Sequence, residues 1–423
     1  MPAVQGIRGT GDWSTDERPK DFRESILFFT PNGNAPIFAL SSKAGKKTVK
    51  DPEFSWWAES NTVIRVQVNG ALGSGDTVVT VDSPDPDATN MGILYGLATH
   101  LKPGDILSVG ENTNVELSTT FAREYIQVDS VISATAFNAI RGVAGTTPAA
   151  IPDNSFLTVI GSAYAEGTAA PKAVSRNPIK FFNYTQIFKD TYELTATADQ
   201  TETRTGNSWS NDKKRKSFDH ARNIEMMMLF GKRFETVGSN GKPLRYAGGI
   251  RTFLPAANVT IFANSGGGFN NGDTFVNALI NAIKPAFDFD VGGGDTRFAY
   301  CGNQARLTIG QGVQAQAAAR LEFGNIVKVY GQDFQELITP LGRLLLKSHP
   351  LMSAHPMYAN SMHVVDFAAL KYTCLRGRDT KTQDDVQTKD EDLRRGFIQT
   401  ECSVMVDGGG LSMVYLGNIN RNA

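Results

Sequence analysis

The chain has 423 residues, of which 41% are apolar and 20% charged, and a net charge of −1. That length can bury a substantial core and hold two or three domains, and the composition excludes a disordered chain. Near-neutral charge argues against an unassisted nucleic-acid binder, which is usually distinctly basic.

No apolar run approaches the ~20 residues needed to cross a bilayer. The start, Met1-Pro2-Ala3-Val4, lacks the charged-then-apolar pattern of a signal peptide. Cys301, Cys374 and Cys402 are odd in number and widely spaced, so they read as free thiols of a protein made in a reducing cytosol.

Residues 1–61 read as an arm. Pro19 to Phe29 suits a short amphipathic helix stopped by Thr30-Pro31-Asn32-Gly33, and an apolar patch, 35–40, precedes Lys43, Lys46, Lys47 and Lys50. Phe54-Ser55-Trp56-Trp57-Ala58 suits a strand with one indole on each face. Large aromatics on a lone arm need another chain or the distal core to cover them, so Phe28, Phe29, Trp56 and Trp57 are expected at intersubunit contacts.

Residues 62–163 form a β-rich unit. Val63–Val68, Thr77–Val81, Ile106–Val109, Glu124–Val128, Phe137–Ile140 and Phe156–Ile160 alternate as strands between Gly- and Pro-rich turns, which predicts a small inserted barrel or sandwich. Tyr192–Ala198 leads toward a long helix over Phe218–Phe234, with Asn207, Ser208 or Ser210 as possible caps. Ala221, Ile224, Met227, Met228 and Gly231 lie on one face of that helix. Beyond Leu244, strands and helices mix. Asp273 caps a helix with the stripe Phe275, Leu279 and Ile283, Thr296–Tyr300 is a strand, and Asn303–Arg320 is helical. Ile326–Tyr330 and Leu344–Leu346 are further strands. Val364-Val365, Phe397–Val406 and Ser412–Leu416 close the chain as an antiparallel set.

Chemical motifs are weak. Gly310-Gln311-Gly312 with Asp333 has dinucleotide-turn spacing, but no strand runs into the first glycine, so a glycine-relieved helix is the better reading. Asp288, Asp290 and Asp295 surround glycines, yet position twelve of a calcium loop would be Ala299; Asp82, Asp85 and Asp87 alternate with prolines. Both sets read as solvated turns. His349, His355 and His363 lack zinc-ligand spacing. With no nucleophile elbow and no phosphate loop, no enzyme is expected, and no cofactor or metal. Lys213-Lys214-Arg215-Lys216 is the strongest charge run. It reads either as a solvated or intersubunit face, opposite acids such as Asp390, Glu391 and Asp392, or as a contact for nucleic-acid phosphates.

Several stretches together resemble the major capsid proteins of tailed bacteriophages with the Hong Kong 97 phage capsid fold, in the long subgroup with a β-insertion. These are Phe28 to Ile37, Phe54 to Trp57, Tyr164 to Gly167, Asn183 to Phe188, Arg222 to Gly231, Val364 to Asp366 and Leu375 to Gly377. The resemblance implies an α+β fold. Its parts would be an N-terminal arm (1–61), an extended loop with an inserted β-domain (62–163), a peripheral domain with a long spine helix (164–243, completed by 344–423) and an axial domain (244–343). It implies self-assembly as hexamers and pentamers into an icosahedral virion shell around double-stranded DNA, put together in the host cytoplasm. Scaffolding, decoration and portal proteins would be partners, and Lys213, Lys214, Arg215 and Lys216 would face DNA. The alternatives are an encapsulin-like compartment, or a tail or adhesion protein with a glycan-binding insert.

Overall fold

The computed structural model describes residues 37, 45–59, 65–82, 97–110, 124–174, 178–203, 206–262, 272–292, 294–314, 322–329 and 332–419. Strands β1 (Lys46–Val49) and β2 (Glu53–Ala58) come first. They are followed by β3 (Arg65–Gln67), β4 (Val78–Thr80), β5 (Asp105–Val109), β6 (Tyr125–Ser133), β7 (Ala136–Val143) and β8 (Phe156–Ser162). β9 (Ile179–Tyr184) and β10 (Gln186–Thr195) lead to the long helix α1 (Ser208–Phe230), then to a hairpin of β11 (Phe234–Val237) and β12 (Pro243–Tyr246). The middle holds β13 (Val259–Ile261), α2 (Gly272–Ile283), β14 (Thr296–Cys301), α3 (Asn303–Gln314), β15 (Glu322–Val329), β16 (Gln332–Thr339) and β17 (Gly342–Ser348). β18 (Met362–Val365), β19 (Leu370–Leu375), β20 (Lys381–Gln383), β21 (Leu393–Val406) and β22 (Val414–Gly417) complete the chain.

The strands of the inserted unit pair in the order β3-β8-β5-β6-β7-β4. The two edges then meet: Val68 bridges Val81, and the Asn69 and Asp82 amides donate to the Thr80 and Gln67 carbonyls, both at 2.9 Å. Closing the sheet on itself removes its free edges. Of the barrel and the sandwich that the strand spacing allows, this pairing is a barrel's. Alternation along each strand sends Val66, Val79, Leu107, Ile126, Phe137 and Leu157 into a core of its own. A buried ion pair fastens the wall. Arg141 Nε and Nη2 donate to the two carboxyl oxygens of Glu124, each at 2.7 Å, and Nη1 reaches the Gly73 and Asp76 carbonyls.

Helix α1 begins ten residues before the expected Phe218 and ends at Phe230, not Phe234. Asn207 caps it, its side-chain oxygen accepting from the Ser210 amide at 3.0 Å. The early stop has a tertiary cause: a Cβ on Gly231 would lie 2.5 Å from the Ala247 carbonyl oxygen, so the chain turns there against residues 247–249. Ile224, Met227, Met228 and Leu229 are buried, and the helix lies along β10 and β21.

Two sheets share the remaining strands. β1-β19-β21-β10, with β20 on β21, carries α1; the seven-stranded sheet β13-β22-β18-β14-β17-β16-β15 packs against α2 and α3. The return segment 344–423, expected to complete one domain, is divided between them. Leu344-Leu345-Leu346 is buried on both faces between β14 and β16, a setting only an internal strand supplies, so β17, β18 and β22 join the sheet of the middle segment. Only β19 to β21 join the sheet of the long helix.

Candidate assembly surface

β2 and β9 form a two-stranded antiparallel ribbon on either side of the inserted barrel. Alternation places Trp56 inward and Trp57 outward. Trp56 stacks on Phe54 and Phe181, and its indole N–H donates to the Val406 carbonyl at 3.1 Å. Its place in its own subunit's core corrects the expectation that it meets another chain: the distal core receives it. Trp57 is 63% exposed, and Ile179, opposite Ala58 on the other face, is 44% exposed. Phe28 and Phe29 lie outside the described residues.

The ribbon's root is held by polar side chains. Asn183 is fully buried and fully bonded. Its amide nitrogen donates to the Gly248 and Val404 carbonyls, and its oxygen accepts from the Gly248 and Tyr184 amides. Thr185 donates to Glu401 at 2.9 Å, and the Ala247 amide donates to Gln186 at 3.0 Å. The stretch Asn183–Phe188 is therefore a structural joint among the ribbon, the 247–249 turn and β21.

Next to the ribbon stands the β11–β12 hairpin, which projects with every residue at least partly exposed. Phe234 pairs with Tyr246 and Thr236 with Leu244 on one face; Val237 lies on the other, beside a Glu235–Arg245 ion pair at 3.0 Å. An isolated two-stranded hairpin is marginal in water without something to cover it. Arg233 fixes the base, lying 3.9 Å from the Phe182 ring centroid and donating to the Phe182 carbonyl at 2.7 Å. Sequence reading missed this hairpin because Phe234 continued the aromatic-rich helix. Its signal was Phe-Glu-Thr-Val and Pro-Leu-Arg-Tyr alternating around Gly238-Ser239-Asn240-Gly241.

Beneath these surfaces, α1 carries two buried polar locks. Glu225 Oε1 accepts from the Ile37 amide at 2.8 Å and from His349 Nε2 at 2.7 Å. His349 Nδ1 accepts from the Met352 amide, which leaves Nε2 as the donor. Ile37 is itself fully buried, so the arm is tied to its own subunit there. His220 bridges Asp190 Oδ2 and Thr400 Oγ1, both at 2.7 Å. The order of groups is that of a nucleophile triad, but Thr400 is fully buried and bonded to Thr380, so the arrangement serves as a latch across β10 and β21.

The basic run lies in the second and third turns of α1, clear of the first turn, where the macrodipole penalty concentrates. Lys213 pairs with Asp384 at 2.6 Å and Arg215 lies 3.8 Å from Asp212, both within the chain, while Lys214 and Arg215 are exposed. Asp384, of the closing segment, is the acid that meets Lys213. Gly312 belongs to α3, where a Cβ would strike the Phe275 ring at 2.2 Å; its glycine serves helix packing. Asp333 is the second residue of β16, paired with Lys328 of β15. Asp290 accepts from the Gly292 and Gly294 amides as a turn residue, and Asp85 and Asp87 are outside the described residues. Among the described residues no group of three or more His, Cys, Asp or Glu side chains comes together in a way that could hold a metal ion, and the three histidines make separate contacts. His349 is bonded as above, His355 accepts from the Met357 amide, and His363 packs between Phe230 and Tyr415. No helix among the described residues is long and apolar enough to cross a membrane.

A family model described as SU10 major capsid protein matches residues 6–411. A major capsid protein of Pseudomonas phage PaMx41 is 30% identical over 394 residues, covering 90% of this chain and 85% of that one. Among solved structures, a chain of Microbacterium phage Oxtober96 aligns over 95% of this chain and 96% of its own, with a TM-score of 0.42 and 10% identity. One from the mature capsid of bacteriophage PhiM1 aligns over 63% and 80%, with a TM-score of 0.39 and 11% identity.

Proposed function

Because this chain belongs to the SU10 major capsid protein family, and is thus a phage major capsid protein, we propose that it assembles as hexamers and pentamers into an icosahedral shell enclosing double-stranded DNA. Its frame is the Hong Kong 97 capsid fold of the subgroup with a β-insertion. The arm is 1–61, the extended loop with its barrel 62–163, the peripheral domain 164–243 with the β19–β21 part of the return, and the axial domain 244–343 with β17, β18 and β22. A barrel inserted between paired strands β2 and β9, followed by a long helix, supports that assignment. The role is structural rather than catalytic.

The observation that carries the assembly reading is the pair of thin β ribbons, bonded at their roots, that present Trp57, Phe234, Val237, Leu244 and Tyr246 to solvent along their length. A subunit in a shell covers such ribbons with its neighbours. Sedimentation and negative-stain imaging of the purified protein test this: closed shells are expected, and only rings, fibres or persistent monomers would refute it. Packaged DNA meets the Lys213–Lys216 region through weak, salt-dependent phosphate contacts repeated over many copies. Replacing all four residues with glutamine leaves empty shells intact and lowers the yield of DNA-filled particles; failure of assembly itself would refute that role.

A further inference from the structure

β19 and β21 run antiparallel with Cys374 directly opposite Cys402. Opposed residues of an antiparallel pair send their side chains to the same face, with Cα atoms about 4.5–5.5 Å apart. That spacing falls inside the range of about 4.4–6.8 Å that a disulfide spans. Both cysteines are free thiols and buried. The third, Cys301, sits in β14 of the other sheet with its sulfur near the Lys347 carbonyl, so it cannot compete for either partner.

We propose that Cys374 and Cys402 form a cross-strand disulfide when the protein meets a small-molecule disulfide oxidant. The sulfur of one cysteine attacks the oxidant's S–S bond, giving a mixed disulfide and releasing one small thiol. The second cysteine sulfur then displaces the other small thiol. Both cysteine protons end on the released thiols, the oxidant is reduced by two electrons, and one S–S bond joins β19 to β21. The bond closes a loop of about 28 residues, which restricts the unfolded chain. It also braces the strand that receives the arm, because β1 pairs in parallel with β19 and Thr48 lies in register with Cys374.

Burial sets the rate. It pushes the Cys402 thiol up to about 12 and raises the Cys374 thiol, with the Asp379 carboxylate adding to the latter. Thiolate is the attacking species, so exchange is slow, and the pair records prolonged oxidising conditions rather than brief ones.

The test uses the full chain in two arms, intact protein incubated with oxidised glutathione and protein refolded from urea in a glutathione redox buffer. Each is compared with a dithiothreitol-treated sample. Alkylation under denaturing conditions and peptide mass spectrometry then locate the bonds. The expected result is a 374–402 linkage with Cys301 alkylated, and a raised urea midpoint that Cys374→Ser and Cys402→Ser abolish and Cys301→Ser keeps. Full alkylation of Cys374 and Cys402 in both arms, or predominant linkage to Cys301 or to another chain, would overturn the proposal.

Discussion

Replacing Phe234, Val237 and Leu244 with serine together should stop assembly while leaving the subunit folded. The three are 57%, 72% and 43% exposed in the subunit, so serine there removes few internal contacts. Their exposed fractions amount to nearly two whole large apolar side chains. Covering one such side chain contributes about 1.5–3 kcal/mol, so the hairpin supplies roughly 3–5 kcal/mol per contact. With each 1.4 kcal/mol worth about tenfold, the concentration needed for assembly should rise by two to three decades or more. Sedimentation velocity across a dilution series reads that threshold, and circular dichroism with urea unfolding reads the unassembled subunit. Assembly at the parent concentration would refute the reasoning, because the hairpin would then be exposed in the shell as well. A collapse of subunit stability would refute it differently, by showing that the hairpin is covered within its own chain.

Other parts of the structure give sharper stability tests. Glu225→Ala leaves the Ile37 amide and His349 Nε2 without their acceptor. It should cost about 2–5 kcal/mol by urea unfolding and expose the arm to limited proteolysis, and Glu225→Gln should cost less. His363 is buried, and among the described residues neither of its ring nitrogens has a partner. Burial, then the neighbouring His349 and Arg251, hold it down to about 3. The unfolded chain therefore takes up a proton that the folded chain refuses between about pH 6.5 and 3. Stability is complete above that window and falls with decreasing pH inside it, by at most about 1.4 kcal/mol per unit. His363→Phe should flatten that part of the pH profile, and an unchanged slope would contradict it. In the barrel, burial alone would raise the Glu124 carboxyl, but Arg141 and the Ala149 and Gly142 amides outweigh it and hold it below its ordinary value. Arg141→Leu should cost about 3–5 kcal/mol, with hydrogen exchange rising in the barrel while α1 stays protected.

The sequence reveals most where structure is local. The barrel's strands, the Trp56/Trp57 alternation, the Asn207 cap and the Phe275, Leu279, Ile283 stripe all follow from spacing within a few residues. What it hides depends on partners far away along the chain. Gly231 ends α1 because the Ala247 carbonyl lies against it, and nothing near residue 231 announces that contact. The basic run concealed the first turns of α1, since its helical role becomes visible only with Asp384, about 170 residues later, as a partner. Nothing in the neighbourhood of Glu225 marks it as buried, because its partners Ile37 and His349 lie more than 100 residues away along the chain. The resemblance implies one domain for the return segment, whereas its strands divide between two sheets, an order that local sequence does not carry.

Each extended element here is bonded inside its own subunit at the root and presents apolar groups at the tip. Trp56 and Asn183 root the ribbon that carries Trp57, and Arg233 roots the hairpin that carries Val237 and Leu244. This division has a thermodynamic reason. A ribbon that stayed loose until assembly would lose about 1–2 kcal/mol of backbone entropy for every residue ordered at the contact, and a two-stranded piece of ten residues would cancel the whole apolar gain. Roots fixed during folding remove that cost from the association step, which is what preorganisation means for an interface. Root and tip substitutions should therefore separate. Asn183→Ala orphans the Gly248 and Tyr184 amides and should lower both subunit stability and assembly, whereas Trp57→Ser should lower assembly alone. If Trp57→Ser destabilised the isolated subunit as much as Asn183→Ala, the ribbon would be one cooperative unit and the division of roles would be wrong.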